Sequence, residues 1–132
     1  MKKLFALLFI SATVLTSCEG ENEEPLVDNC INFIETGINS VSEIPGDFAS
    51  GTAYRVTFNC SSGCGNFDSF EEIVEGNTRT IKVIAKYEGC TCTDDTPLRE
   101  ATYGFNPTVP GIYTLKFLKT DGTFFTETFV VL

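Results

Sequence analysis

The feature that most constrains the fold is an alternation of apolar and polar residues that fills the chain from residue 30 onward. Residues 79–87 show it best, because Ile81, Val83, Ala85 and Tyr87 would share one face of an extended strand. A period of two residues is typical of β-strands with one buried face. No stretch of this region has a sustained helical period, so the sequence predicts an all-β domain.

The same pattern predicts a series of short strands separated by turn residues. They cover residues 31–34, 38–44, 53–59, 67–74, 79–87, 98–105, 112–118 and 124–132. The residues expected in the core include Tyr54, Val56, Phe58, Phe70, Ile73, Ala101, Tyr103 and Phe105. Gly76-Asn77 predicts a turn, and Asp121-Gly122 between two β-rich runs predicts a hairpin. Strands at this spacing indicate a sandwich of two sheets.

Residues 110–115, Pro-Gly-Ile-Tyr-Thr-Leu, resemble the start of the penultimate strand of immunoglobulin-like domains. There a tyrosine two residues before a core position forms the tyrosine corner. The resemblance implies that Tyr113 is this tyrosine and Leu115 the core residue. Antibody domains have a cysteine at the place of Leu115 and a core tryptophan, and this chain has neither. The predicted fold is therefore an immunoglobulin-like β-sandwich of about seven antiparallel strands.

The chain begins with Met1-Lys2-Lys3 and an apolar run, which together are typical of a secretory signal peptide. The run ends in Leu15-Thr16-Ser17-Cys18, which resembles the lipobox of bacterial lipoproteins. The resemblance implies cleavage before Cys18 and a lipid on its thiol, with the membrane as partner through that lipid. The predicted organisation is a signal peptide at 1–17, a lipidated Cys18 with an acidic disordered tether at 18–29, and a sandwich domain at 30–132.

Residues 19–25 are rich in glutamate and have no apolar side chain, which predicts a disordered spacer. An acidic cluster after the lipidated cysteine also resembles the surface-export signal of some Gram-negative lipoproteins. The expected location is the cell envelope, with the domain anchored at the outer membrane and either exposed at the surface or facing the periplasm.

Charge and composition exclude several classes of function. Loss of Lys2 and Lys3 with the signal changes the net charge from −9 to −11. This acidic balance argues against nucleic acid as a partner. The chain has no histidine, which removes every histidine-based triad and zinc ligand, and we expect no cofactor.

Five cysteines remain after lipidation of Cys18, and in an exported protein they indicate disulfides. Strand order places Cys60 and Cys64 at the same end of the sandwich as Cys90 and Cys92. Pairing across these loops, as Cys60–Cys90 with Cys64–Cys92 or as Cys60–Cys92 with Cys64–Cys90, is favoured over a bridge within Cys90-Thr91-Cys92. A local Cys60–Cys64 bridge stays open.

Cys30, at the junction with the tether, is then the candidate free thiol, although pairing with one of the four loop cysteines would free another. A tetrahedral zinc site formed by Cys60, Cys64, Cys90 and Cys92 is a second interpretation, which the CxxxC and CxC spacings disfavour. A redox-active pair is a third, but no CxxC motif supports it.

Two groups of acidic residues are further candidates. Asp94 and Asp95, near Glu88 and Glu100, form a dense patch, but no calcium-loop motif accompanies them and a solvated loop is favoured. Asp68, Glu71, Glu72 and Glu75 could supply the paired carboxylates of a glycoside hydrolase. A charged strand edge explains them equally well.

The sequence contains no recognisable catalytic constellation, so we expect a non-enzymatic, membrane-anchored binding or accessory module. It would bind an envelope protein or glycan through its loops. The alternatives are a carboxylate-based hydrolase that acts on envelope or extracellular substrates, and a metal-binding protein that uses the four loop cysteines.

Overall fold

The computed structural model describes residues 30–46 and 51–132, so the predicted signal peptide and tether lie outside the described residues. Eight strands and no helix occur in the described part of the chain. They are β1 (Ile31–Thr36), β2 (Ile38–Glu43), β3 (Thr52–Asn59), β4 (Gly65–Glu75), β5 (Thr78–Glu88), β6 (Leu98–Phe105), β7 (Gly111–Leu118) and β8 (Phe124–Val131). Within these residues, nothing forms a helix long and apolar enough to cross a membrane.

The larger sheet has five strands and is built around β5. β4 pairs along the whole of one side of β5. The other side is shared, because β1 pairs with residues 83–88 and β7 with residues 78–81. β8 then pairs with β7 and forms the outermost strand. The β5–β7 pairing is parallel, whereas the sequence predicted only antiparallel pairs.

The smaller sheet has the order β2-β3-β6, with antiparallel pairs throughout. β1 and β2 follow one another directly but belong to different sheets, so the chain crosses between the sheets at Gly37. A side chain at Gly37 would collide with the backbone of Thr120. This close approach explains why glycine occupies the crossing.

The inward-facing residues of both sheets form one core, which confirms the all-β sandwich. Its members are Ile38, Tyr54, Val56, Phe58, Cys60, Ile81, Val83, Ala85, Tyr87, Ala101, Tyr103, Phe105, Tyr113, Leu115 and Phe117. The rings of Tyr54 and Tyr103 each have their centroid 5.5 Å from that of Phe117. This aromatic cluster fills the space between the two sheets.

The prediction that Ile73 is buried is wrong, whereas Phe70 does pack against the core. A register shift between Phe67 and Ser69 adds one residue to β4, so that both Phe67 and Phe70 lie opposite inward-facing residues of β5. Ile73 then pairs with Thr80 on the outer face, where its side chain is 43% exposed. Residues three apart on a regular strand cannot share a face, because the side-chain period is two.

Candidate functional site

One end of the sandwich is closed by two disulfides, and we call it the disulfide rim: Cys30, residues 60–64 and residues 89–97. Cys30 is bonded to Cys90, with their Cα atoms 5.0 Å apart. Cys64 is bonded to Cys92, with their Cα atoms 5.4 Å apart. Backbone hydrogen bonds from Gly89 to Cys30 and from Gly63 to Thr93 also join these segments. The rim is thus a cross-linked surface rather than a set of independent loops.

Cys64–Cys92, a member of one of the two pairings left open, is present, whereas its companion Cys60–Cys90 is absent. The prediction that Cys30 is the free thiol is wrong, and the alternative in which Cys30 pairs with a loop cysteine and frees another is the one observed. Antiparallel pairing of β1 with β5 puts Ile31 opposite Glu88, which carries Cys30 to Cys90. The sequence did not show which strand β1 pairs with. The distance between Cys30 and Cys90 could thus not be foreseen.

Cys60 was a disulfide candidate, but it is a free thiol in the structure and is 1% exposed. Its position continues the inward face of β3 after Tyr54, Val56 and Phe58. Its backbone N–H donates to the carbonyl of Pro97, and a Cβ at Gly65 would lie only 2.7 Å from its Sγ. The alternation of β3, carried one step past the predicted strand, is the signal that could have identified Cys60 as a core residue.

The four-thiolate metal site has lost its ligands in this structure, because Cys64, Cys90 and Cys92 are in disulfides. A cysteine binds zinc as its thiolate, and a sulfur in a disulfide is not a thiolate. Within residues 30–46 and 51–132 no other group of cysteine, aspartate or glutamate side chains could hold a metal ion.

The acidic residues near the rim do not converge on one point. Asp95 accepts a hydrogen bond from the hydroxyl of Thr93 at 2.6 Å. Glu88 pairs with Lys86 on its own strand, and Glu100 pairs with Arg55 on the outer face of the smaller sheet. Each of these carboxylates is thus engaged locally, as expected for a solvated loop and a polar sheet face.

Neighbouring carboxylates of β4 lie on different faces of the larger sheet. Glu71 lies opposite Lys82 on the outer face, whereas Glu72 lies opposite Ile81 on the inner face. Glu72 instead bonds Arg79 at 2.7 Å, and the guanidinium of Arg79 stacks on the ring of Phe105. The Glu72–Arg79 pair thus covers the edge of the aromatic core.

Tyr103 lies beneath this ion pair and is 3% exposed. Its hydroxyl makes no hydrogen bond within the described residues. Burial raises the pKa of Tyr103, and the nearby carboxylate of Glu72 raises it further. Burial, with a smaller contribution from Glu43, also raises the pKa of Tyr54. Both phenols therefore keep their protons to a higher pH than a free tyrosine does.

A cleft of about 470 Å³ opens beside the rim. The β1–β2 crossing, the end of β3 and the β7–β8 hairpin enclose it. Its lining includes Thr36, Asn59, Cys60, Tyr87 and Lys119. Most of its polar groups have partners in the fold, because Thr36 donates to the carbonyl of Asn59 and the hydroxyl of Tyr87 accepts from the N–H of Ser61. The cleft is a preformed concave surface with one cation, Lys119.

At the opposite end of the sandwich, two loops are held by hydrogen bonds, and we call them the distal loops: residues 76–77 and 106–110. The N–H of Thr114 donates to the carbonyl of Asn77, whose side chain donates to the carbonyl of Ile112. The hydroxyl of Tyr113 donates to the carbonyl of Val109 at 2.7 Å. This last bond is the tyrosine corner that the sequence implied, and Leu115 is fully buried as expected.

Taken together, these features define a small β-sandwich domain stapled by disulfides at one end. A family model for the ORF11 β-sandwich domain matches residues 54–131, which is more than half of the chain. The chain therefore belongs to the ORF11 β-sandwich family, and the match covers β3 to β8. No curated protein and no solved structure matches the chain.

Proposed function

We propose that the chain is a lipid-anchored module of the cell envelope, tethered through Cys18, which binds an envelope protein or glycan without catalysis. The observation that carries the proposal is the position of Cys30. Its bond to Cys90 fixes the first described residue at the disulfide rim, so a tether from Cys18 would reach the domain at that end. The distal loops lie at the other end and would point away from the membrane.

The distal loops suit such binding because hydrogen bonds already hold them. A preformed loop loses less conformational entropy on binding than a mobile one. Val109, at the tip of one loop, is 64% exposed and presents an apolar side chain to a partner. The cleft near Lys119 is a second preformed surface on the same domain.

The anchor is tested by expressing the full chain in a bacterial host and labelling cells with a fatty acid. We expect label and membrane association in the parent chain and loss of both in Cys18→Ser. Cys60→Ser, which removes another thiol of the same chain, is the matched control and should keep both. Equal label in Cys18→Ser would contradict the anchor.

Binding at the distal loops is tested with a photo-reactive amino acid at Val109 in intact cells. The matched position is Asp94, an exposed residue of the disulfide rim. A single reproducible adduct from Val109 and none from Asp94 would support the proposal. Turnover of an envelope substrate by the purified chain, lost on Glu72→Gln, would replace it by the hydrolase alternative.

A further inference from the structure

β8 is paired on one side only in the part of the chain that the structure describes. It pairs with β7 over its full length, from Gly111 opposite Val131 to Leu118 opposite Phe124, without a register shift. Its other side therefore presents a regular row of backbone N–H and C=O groups. The chemical group that complements such a row is another extended polypeptide strand.

The other four edge strands carry features that hinder strand addition. β1 is short, with six residues, and carries the acidic residue Glu35. β4 has a register shift and the acidic residues Asp68, Glu71 and Glu75. β6 is crossed by the side chain of Arg99, which donates to the carbonyl of Gly65 at 2.9 Å. β2 has a register shift between Ile38 and Ser40. β8 has no proline, lysine, glycine or bulge, and a single charge at Glu127.

The sequence of β8 is complementary to itself about Thr128. If two copies pair antiparallel with Thr128 on the axis, Phe124 faces Leu132, Phe125 faces Val131 and Thr126 faces Val130 of the other copy. The paired positions are both even or both odd, so each pair shares one face of the joined sheet. The two Thr128 side chains face each other, which is a favourable cross-strand pair.

Exposed apolar side chains flank this edge on the outer face of the sheet. Phe124, Val130 and Leu132 are 39%, 54% and 104% exposed, and Ile112 beside Val130 is 64% exposed. Pairing about Thr128 would bring Phe124 of one copy against Leu132 of the other at both ends of the joint. The area removed from water would add to the backbone hydrogen bonds.

The position of Glu127 favours one register, and the net charge of the chain does not prevent two copies from associating. An axis at Glu127 would put two carboxylates directly opposite, which destabilises a strand pair. With the axis at Thr128, Glu127 faces Phe129 instead, and the two carboxylates are diagonal neighbours about 7–8 Å apart. The net charge of −9 on each copy is screened over roughly 8 Å at physiological salt, so it does not prevent association.

We infer that β8 is a homodimer interface, at which a second copy of the chain adds antiparallel about Thr128 and joins the two larger sheets into one. Such an interface has closed twofold symmetry, because each copy offers the same strand to the other. It also protects an edge that would otherwise invite uncontrolled pairing. The inference stands independently of the lipid anchor and of binding at the distal loops.

The test is a cysteine cross-link in the full chain under mild oxidation, read as doubled mass on a non-reducing gel. Facing Cα atoms of paired strands lie about 4.5–5.5 Å apart, which is a distance that a disulfide spans. Thr128→Cys should therefore give a cross-linked dimer. Thr126→Cys is the matched control: Thr126 is also exposed and lies on the same face, but it faces Val130 of the other copy, so this variant should stay uncrosslinked.

A second variant avoids reliance on the added thiols. Val130→Lys puts a charge on an exposed outer-face position of the edge. It should convert a sedimenting dimer to a monomer that still unfolds cooperatively, at a melting temperature that no longer depends on protein concentration. Repeating both measurements in a Cys18→Ser background separates this inference from the anchor, because the dimer does not need the lipid. A monomeric parent chain, or equal cross-linking of Thr126→Cys and Thr128→Cys, would overturn it.

Discussion

The hydroxyl of Tyr113 donates a hydrogen bond to the backbone carbonyl of Val109 across 2.7 Å. The bond closes the turn before β7 and fixes the angle at which that strand enters the core. Two residues later Leu115 is fully buried. Tyr113 thereby couples the shape of a distal loop to the packing between the sheets.

Tyr113→Phe removes this bond while keeping the ring in place. We expect the free energy of unfolding to fall by about 1 kcal/mol, which is the usual net value of one hydrogen bond. Urea denaturation measures the change. Tyr103→Phe is the matched control, since the hydroxyl of Tyr103 makes no hydrogen bond of normal geometry in the described residues and its removal should cost less than that of the Tyr113 hydroxyl. An equal loss in both variants would contradict the assignment of the bond at Tyr113.

Alkaline pH should destabilise the fold through its buried tyrosines. Burial raises the pKa of Tyr103 and of Tyr54 in the folded state. An unfolded tyrosine ionises near pH 10, whereas the folded one keeps its proton to higher pH. The stabilisation is therefore complete below about pH 10 and is lost as pH rises further.

The measurement is the denaturation midpoint as a function of pH, with tyrosinate absorbance followed in parallel. Tyr103→Phe should flatten the fall in stability above about pH 10. Tyr113→Phe, which removes a hydrogen-bonded tyrosine hydroxyl from the same domain, serves as the comparison. A parallel alkaline fall in Tyr103→Phe and the parent would contradict this account.

The two disulfides should differ in their effect on stability because they close loops of different length. Cys30–Cys90 spans 60 residues and Cys64–Cys92 spans 28. Loop-closure entropy predicts a loss of about 4.3 kcal/mol for the longer loop and about 3.6 kcal/mol for the shorter. Double serine variants of each pair, compared by denaturation, measure both losses. A larger loss of stability on removal of Cys64–Cys92 would show that native contacts near this disulfide outweigh the loop-closure entropy of the unfolded chain.

Cys60 should behave as a concealed thiol. Because its side chain is 1% exposed, a thiol reagent should leave the folded domain unlabelled and add one label to it after unfolding without reductant. Intact mass before and after denaturation measures this. In the Cys60→Ala variant, no cysteine of the domain should be labelled, whether the domain is folded or unfolded. Rapid labelling of the folded domain would show that the rim opens.

The strands, their inward faces and the hairpin at Asp121-Gly122 were predictable because they depend on local order in the sequence. A period of two identifies a strand wherever it lies, and Gly122 adopts a positive φ of 81° that a tight turn favours. The register shift in β4 was not predictable, because the extra residue between Phe67 and Ser69 is accommodated only against β5. That single residue turned Ile73 outward.

The cysteines show where sequence reasoning stops. The alternation of β3, carried one step further, puts Cys60 on the buried face, although Cys60 was predicted to be a disulfide cysteine. The partner of Cys90 depends instead on which strand occupies the edge of β5, and β1 carries Cys30 there from 60 residues away. The sequence by itself determined the secondary structure and the sandwich class, through local periodicity and turn chemistry. Only the tertiary structure decided the disulfide pairing and the edges left unpaired, because these depend on which distant strands meet.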